Sequence, residues 1–103
     1  MTSTLVSLDR MTDDQLLQEV MSMAEVRSLT ETISEKSNGK HRLKSYIAAR
    51  PSDDAEYYTI NLAEDNGAAL TTLYIFHVYP DNTMVYDVVS DREISLKEWR
   101  KSL

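Results

Sequence analysis

The chain contains no cysteine, two glycines, two prolines and only two histidines. Without cysteine there is no disulfide framework, no thiolate nucleophile and no thiolate zinc site. Basic residues are also in short supply: 11 Lys and Arg stand against 17 Asp and Glu, a formal charge of −6. That balance repels a phosphate backbone, so neither nucleic acid nor an anionic membrane surface is an expected partner. There is no apolar run long enough to span a bilayer, and no membrane insertion is expected. The stretch from Met1 to Leu8 lacks the basic and long apolar regions of a secretory signal. A cytoplasmic location is the expectation for the sequence as written, with the cell envelope as the alternative if the N-terminus has been processed or replaced.

What is present suits a single globular domain over 1–103, with 1–11 read as a flexible lead-in. The 103 residues are 42% hydrophobic and 27% charged, enough for one ordinary core and too short for two. Charge is unevenly placed. Residues 36–50 carry five basic and no acidic side chains, whereas 51–95 carry one basic and nine acidic.

The hydrophobic period changes near residue 40. Before it, Leu16, Leu17, Val20, Met21 and Ala24 form one helical stripe, and Val26, Leu29 and Ile33 form another. On one straight helix the two stripes would lie on nearly opposite sides, so the spacing predicts two helices with a break near Ser22. Ser22 with Glu25 reads as a capping box, with Met21 and Val26 as its hydrophobic staple. Thr12 with Gln15 repeats the pattern, with Met11 and Leu16 as the staple. Lys36 to Gly39 reads as the end of the second helix.

From Arg42 to Val89 the chain alternates like strands, placed at 42–50, 56–63, 71–79 and 83–89 and separated by Pro, Asx and Gly turns. Such short connections predict an antiparallel meander. Ser95 with Glu98 forms a third capping box, with Ile94 and Trp99 as its staple, and starts a short terminal helix. The expected fold is therefore α+β: N-terminal helices on a four-stranded antiparallel meander, closed by a C-terminal helix. In architecture it resembles cystatin-like domains.

Chemistry-bearing motifs are sparse. His41 and His77 fall in different predicted strands without metal-ligand spacing, and His77 reads as a satisfied or half-exposed strand residue. The acidic turns around Asp53, Glu64 and Asp81 lack the calcium-loop pattern and suit ordinary Asx turns. No metal and no cofactor are expected. Gly39 and Lys40 lack the rest of a phosphate loop. No nucleophile elbow or Ser-x-x-Lys motif occurs, and Asp87 with Asp91 is the carboxylate pair that could serve as acid and base. The basic residues Lys40, Arg42 and Lys44 either pair with this chain's own acidic turns or dock an acidic partner. The six tyrosines, Tyr57 and Tyr74 among them, offer a partly exposed aromatic surface on the sheet.

Two stretches resemble small uncharacterised bacterial proteins, often of the cell envelope: Tyr57 and Tyr58 with Glu64 to Gly67, and Val85 to Arg100 with Asp91, Ile94 and Trp99. The resemblance spans roughly 24–101 and implies no activity or catalytic residue. The residues together point to a non-enzymatic binding or protein-interaction domain, with Lys40, Arg42, Lys44, Tyr57 and Tyr74 as candidate contacts. The alternative is a small-molecule-binding domain or minor enzyme with a pocket between helix and sheet. The sequence specifies neither the partner nor the oligomeric state.

Overall fold

A computed structural model describes residues 12–80 and 82–103. The lead-in 1–11, the staple residue Met11 and the turn residue Asp81 lie outside the described residues. Helix α1 (Asp13–Met21) starts at Thr12, whose side chain accepts from Gln15 N–H while Gln15 returns the bond to Thr12 N–H. Asp13 and Asp14 in the first turn suit the helix dipole. Leu16 and Val20 turn one buried stripe inward.

The break expected near Ser22 is present, but Ser22 is not the cap of the second helix. Its backbone is still helical (φ −85°, ψ −8°), and it closes α1 by donating its N–H to the Gln18 carbonyl and its hydroxyl to that of Glu19. Met23 instead takes the extended conformation that precedes helix α2 (Ala24–Lys36), and it offers no side-chain cap. The Met21–Val26 staple loses its register, although both residues pack in the core. At the far end Asn38 (φ 55°) and Gly39 (φ 77°) are left-handed. Asn38 N–H donates to Glu35 and Gly39 N–H to Ser34, a Schellman closure that satisfies the last carbonyls.

The sheet is an antiparallel meander in the order β1 (Arg42–Ala49), β2 (Tyr58–Asp65), β3 (Leu70–Tyr79), β4 (Asn82–Asp87) and β5 (Arg92–Ser95). It thus has five strands where the sequence predicts four. The fifth is four residues long and half charged, so its alternation is hidden. The fourth stops at Asp87, not 89, because Val88 and Val89 form an exposed turn, Val89 being 96% exposed. Asp87 organises that turn by accepting from Val89 N–H and the Ser90 hydroxyl, and Asp91 completes it at φ 54°.

Register places Ile47, Ile60, Phe76, Val85 and Ile94 in one row across all five strands. This face packs against Leu16, Val20 and Val26 from the N-terminal helices and against Trp99 of helix α3 (Leu96–Lys101). Each fully buried aliphatic or aromatic side chain contributes about 1.5–3 kcal/mol. Ser95 caps α3 through Glu98 N–H. Ile94 and Trp99, the expected staple, are both buried. Helices α1 and α2 lie over β1, and α3 lies over β4 and β5. The alternate residues of the strands point to the other face, where among the described residues no helix packs.

Candidate functional site

On that helix-free face the strand register assembles a polar aromatic cluster. His77 and Tyr79 are two apart on β3 and share a side; Tyr86 of β4 and Glu93 of β5 are directly paired and project the same way. Tyr57, just before β2, lays its ring on His77 with centroids 4.0 Å apart and planes 21° from parallel. It also leans on Tyr79 at 5.0 Å. Tyr86 stacks with the same imidazole at 5.6 Å.

Glu93 holds the cluster together. Its Oε2 accepts from His77 Nδ1 at 2.6 Å and from the Tyr79 hydroxyl at 2.5 Å. Burial pushes the Glu93 carboxyl up, but the bonds from Tyr79 and His77 outweigh it and hold the group below its ordinary range. The same bond, reinforced by burial and by the Glu93 charge, pushes Tyr79 up to about 12. With Glu93 ionised, Nδ1 is the ring nitrogen that donates to it. Tyr86 donates to the Asp91 carboxylate, which raises the phenol. A histidine oriented by a carboxylate has the parts of a general base. Its side chain is only 10% exposed, however, and the stacked tyrosines restrict a substrate's approach to the ring.

The five residues singled out from sequence do not converge. Lys40, Arg42 and Lys44 stand at one end of the sheet, where Arg42 is opposite Asp65. Tyr57 is at the other end, beside Tyr58, which pairs with Val78. Tyr74 lies on the helix-packed side, edge-on to Trp99 at 5.3 Å.

Much of the basic stretch is engaged within the chain. Lys44 Nζ is 2.8 Å from Asp65, whose carboxyl is held low by that bond and by Gly67 N–H. Arg50 grips Asp13 with two bonds of 2.9 and 2.6 Å, joining the end of β1 to the start of α1. His41 Nδ1 meets Glu64 at 2.5 Å. Lys40 and Arg42 remain exposed.

The acidic turns likewise bind their own backbone. Asp65 accepts from Gly67 N–H, and Asn66 from the N–H groups of Ala68 and Ala69. Asp87 and Asp91 serve the β4–β5 turn and Tyr86 respectively. Among the described residues no group of three or more His, Asp and Glu is placed to hold a metal ion, and no helix is long and apolar enough to cross a membrane. Sequence reasoning missed Tyr79, Tyr86 and Glu93 as cluster members. The parity of His77 and Tyr79 was visible, but Glu93 sits in the unrecognised fifth strand. Comparison of the chain with protein-family models, curated proteins and solved structures finds no match.

Proposed function

We propose that this chain is a non-enzymatic interaction domain whose helix-free sheet face receives a basic segment of a partner protein. The observation that carries the reading is the preorganised cluster of Tyr57, His77, Tyr79 and Tyr86 around the Glu93 carboxylate. Tyrosine faces attract Lys and Arg cations, and the nine carboxylates between residues 51 and 95 supply a matching long-range field. The residual chemistry of His77 is better suited to fixing this cluster than to turnover, because the ring is covered. The same acidity disfavours a polyanionic partner. The order of helices followed by a meander also supports reading the architecture as cystatin-like, a likeness of arrangement that assigns no activity.

Fluorescence polarisation with a labelled polylysine peptide at near-physiological salt tests the proposal. Tyr57→Ala and Glu93→Gln should each weaken binding by about two- to fivefold, the scale of exposed cation–π contacts. Glu31→Gln, an equal change of charge on the exposed surface of α2, should leave it nearly unchanged. Equal weakening by Glu93→Gln and Glu31→Gln, with Tyr57→Ala binding as the unmodified protein does, would show that only net charge matters and would overturn the reading.

A further inference from the structure

The sheet has two outer edges, and they differ. Strand β5 is four residues long and runs directly into α3, which leaves little to pair with. Strand β1 is eight residues long and is hydrogen-bonded within the sheet on one side only, to β2. Alternate residues of a strand aim their N–H and C=O groups away from that neighbour, so β1 presents a row of such groups outward. Among the described residues, no backbone bond from a turn, cap or loop reaches β1. Ile47 faces Ile60 and Ala49 faces Thr59, so the ladder skips Ala48 and the regular edge spans residues 42–47.

The two sides of this edge differ in chemistry. Arg42, Lys44 and Tyr46 lie on the helix-free side and are exposed, whereas Leu43, Ser45 and Ile47 lie on the helix-packed side and are buried or half-buried. The charge beside the edge is positive. Among the described residues the exposed Lys36, Lys40 and Arg42 form no salt bridge, while the nearby acids Glu64 and Asp65 are already engaged by His41 and Lys44. Cationic side chains on an edge keep unsuitable strands away. They disfavour a second copy of β1, because pairing would set one basic row against another, and they favour a strand of opposite charge. The net charge of −6 acts weakly on so short a contact, since fields are screened within about 8 Å at physiological ionic strength.

We propose that the edge of β1 receives, as a sixth strand, an extended segment of a partner protein in which acidic and apolar residues alternate. The segment's backbone pairs with the outward groups of residues 42–47. Its acidic side chains lie beside Arg42 and Lys44, and its apolar side chains extend the cover over Leu43 and Ile47. This edge is separate from the aromatic cluster around Glu93 and takes the opposite charge, so either proposal can fail without the other.

The probe is a capped hexapeptide of alternating glutamate and valine, titrated into the protein at near-physiological salt while amide chemical shifts are followed. Saturable shifts should concentrate at residues 42–47, in the millimolar range because a flexible peptide must be ordered to bind. The same peptide N-methylated at every residue keeps the charge but loses every ladder donor, and it should not move those signals. Arg42→Gln should weaken binding by about two- to fivefold, the scale of an exposed ion pair. Lys97→Gln, an equal change of charge at an exposed position of α3, should leave it unchanged. No saturable shift at 42–47, equal binding by the N-methylated peptide, or equal weakening by the two variants would each overturn the proposal. So would sedimentation of the free protein as a dimer whose outward β1 amides are protected from hydrogen exchange, which would make a second copy the occupant.

Discussion

Truncating Trp99 to alanine should destabilise the domain by about 3 kcal/mol. The indole is 3% exposed and meets Phe76 edge-on at 5.4 Å and Tyr74 at 5.3 Å. Truncating a core aromatic of this kind costs about 3–5 kcal/mol, the upper end applying where neighbours cannot collapse into the space. Two features favour the lower end. The cleft between α2 and α3, which Trp99 lines, gives water and side chains access to the vacated volume, and removing the unpartnered Nε1–H recovers part of the ~1–3 kcal/mol that an unmet buried donor costs. A loss of that size is a large fraction of the ~5–15 kcal/mol that stabilises a typical domain.

Trp99→Phe separates the two effects, because it keeps an aromatic ring against Phe76 and Tyr74 while discarding the N–H. It should cost no more than about 1.5 kcal/mol, as volume-tolerant aromatic replacements do. Urea unfolding followed by far-ultraviolet circular dichroism measures both variants without needing the indole. In the unmodified protein the emission should be blue-shifted and shielded from acrylamide. A cost below about 1 kcal/mol for the alanine variant, or a red-shifted and readily quenched indole, would refute the anchoring role and move the binding surface to the C-terminus.

Capping separates three hydroxyls that look alike in sequence. Thr12→Ala and Ser95→Ala should each cost about 0.5–2 kcal/mol, as side-chain caps do, whereas Ser22→Ala should stay within about 0.5 kcal/mol because its hydroxyl only bonds back to Glu19; chemical denaturation distinguishes these outcomes. The Tyr79 phenol has its folded value raised to about 12, so its contribution is complete below 10 and lost as pH rises through 12, a loss that Tyr79→Phe should remove from an alkaline stability profile. Glu93 is shifted the other way: its contribution is present above the ordinary carboxylate value and lost as pH falls through its lower folded value, and Glu93→Gln should flatten that part of the acid profile. Adding calcium or zinc should leave the melting temperature unchanged, since a ligand at a hundred times its dissociation constant would add about 2.7 kcal/mol; a rise reversed by chelator would show that the acidic turns bind metal.

The legible parts of the fold were those encoded by period and parity. Two apolar stripes that cannot share one helix placed the break between α1 and α2, and alternation in β2 put Tyr58, Ile60 and Leu62 on the buried side. The choice of cap was not legible. Ser22 and Met23 differ by one residue, and the pattern of Ser22 with Glu25 describes a hydroxyl that could cap, while backbone dihedrals decide whether it does.

Strand β5 was hidden because Arg92 and Glu93 dilute its apolar signal and the adjacent Val88 and Val89 imitate a strand while forming a turn. The site suffered from the same gap. The sequence reads His77 as satisfied or half-exposed; it is buried, and its partner Glu93 becomes visible only when β5 is paired with β4. Tyr57 and Tyr74 look equivalent as strand tyrosines, yet they end on opposite faces, because Tyr57 precedes β2 while Tyr74 pairs with core residue Leu62. The α2–α3 cleft depends on how far apart two helices settle, which no local pattern encodes.

The most direct test of the interaction surface is an amide chemical-shift titration with unlabelled polylysine peptide at near-physiological salt. Saturable shifts should concentrate at Tyr57, His77, Tyr79, Tyr86 and Glu93, with the exposed carboxylate positions of α1 and α2 nearly unmoved. Shifts spread evenly over acidic residues on both faces, or confined to the helices, would contradict the proposed surface.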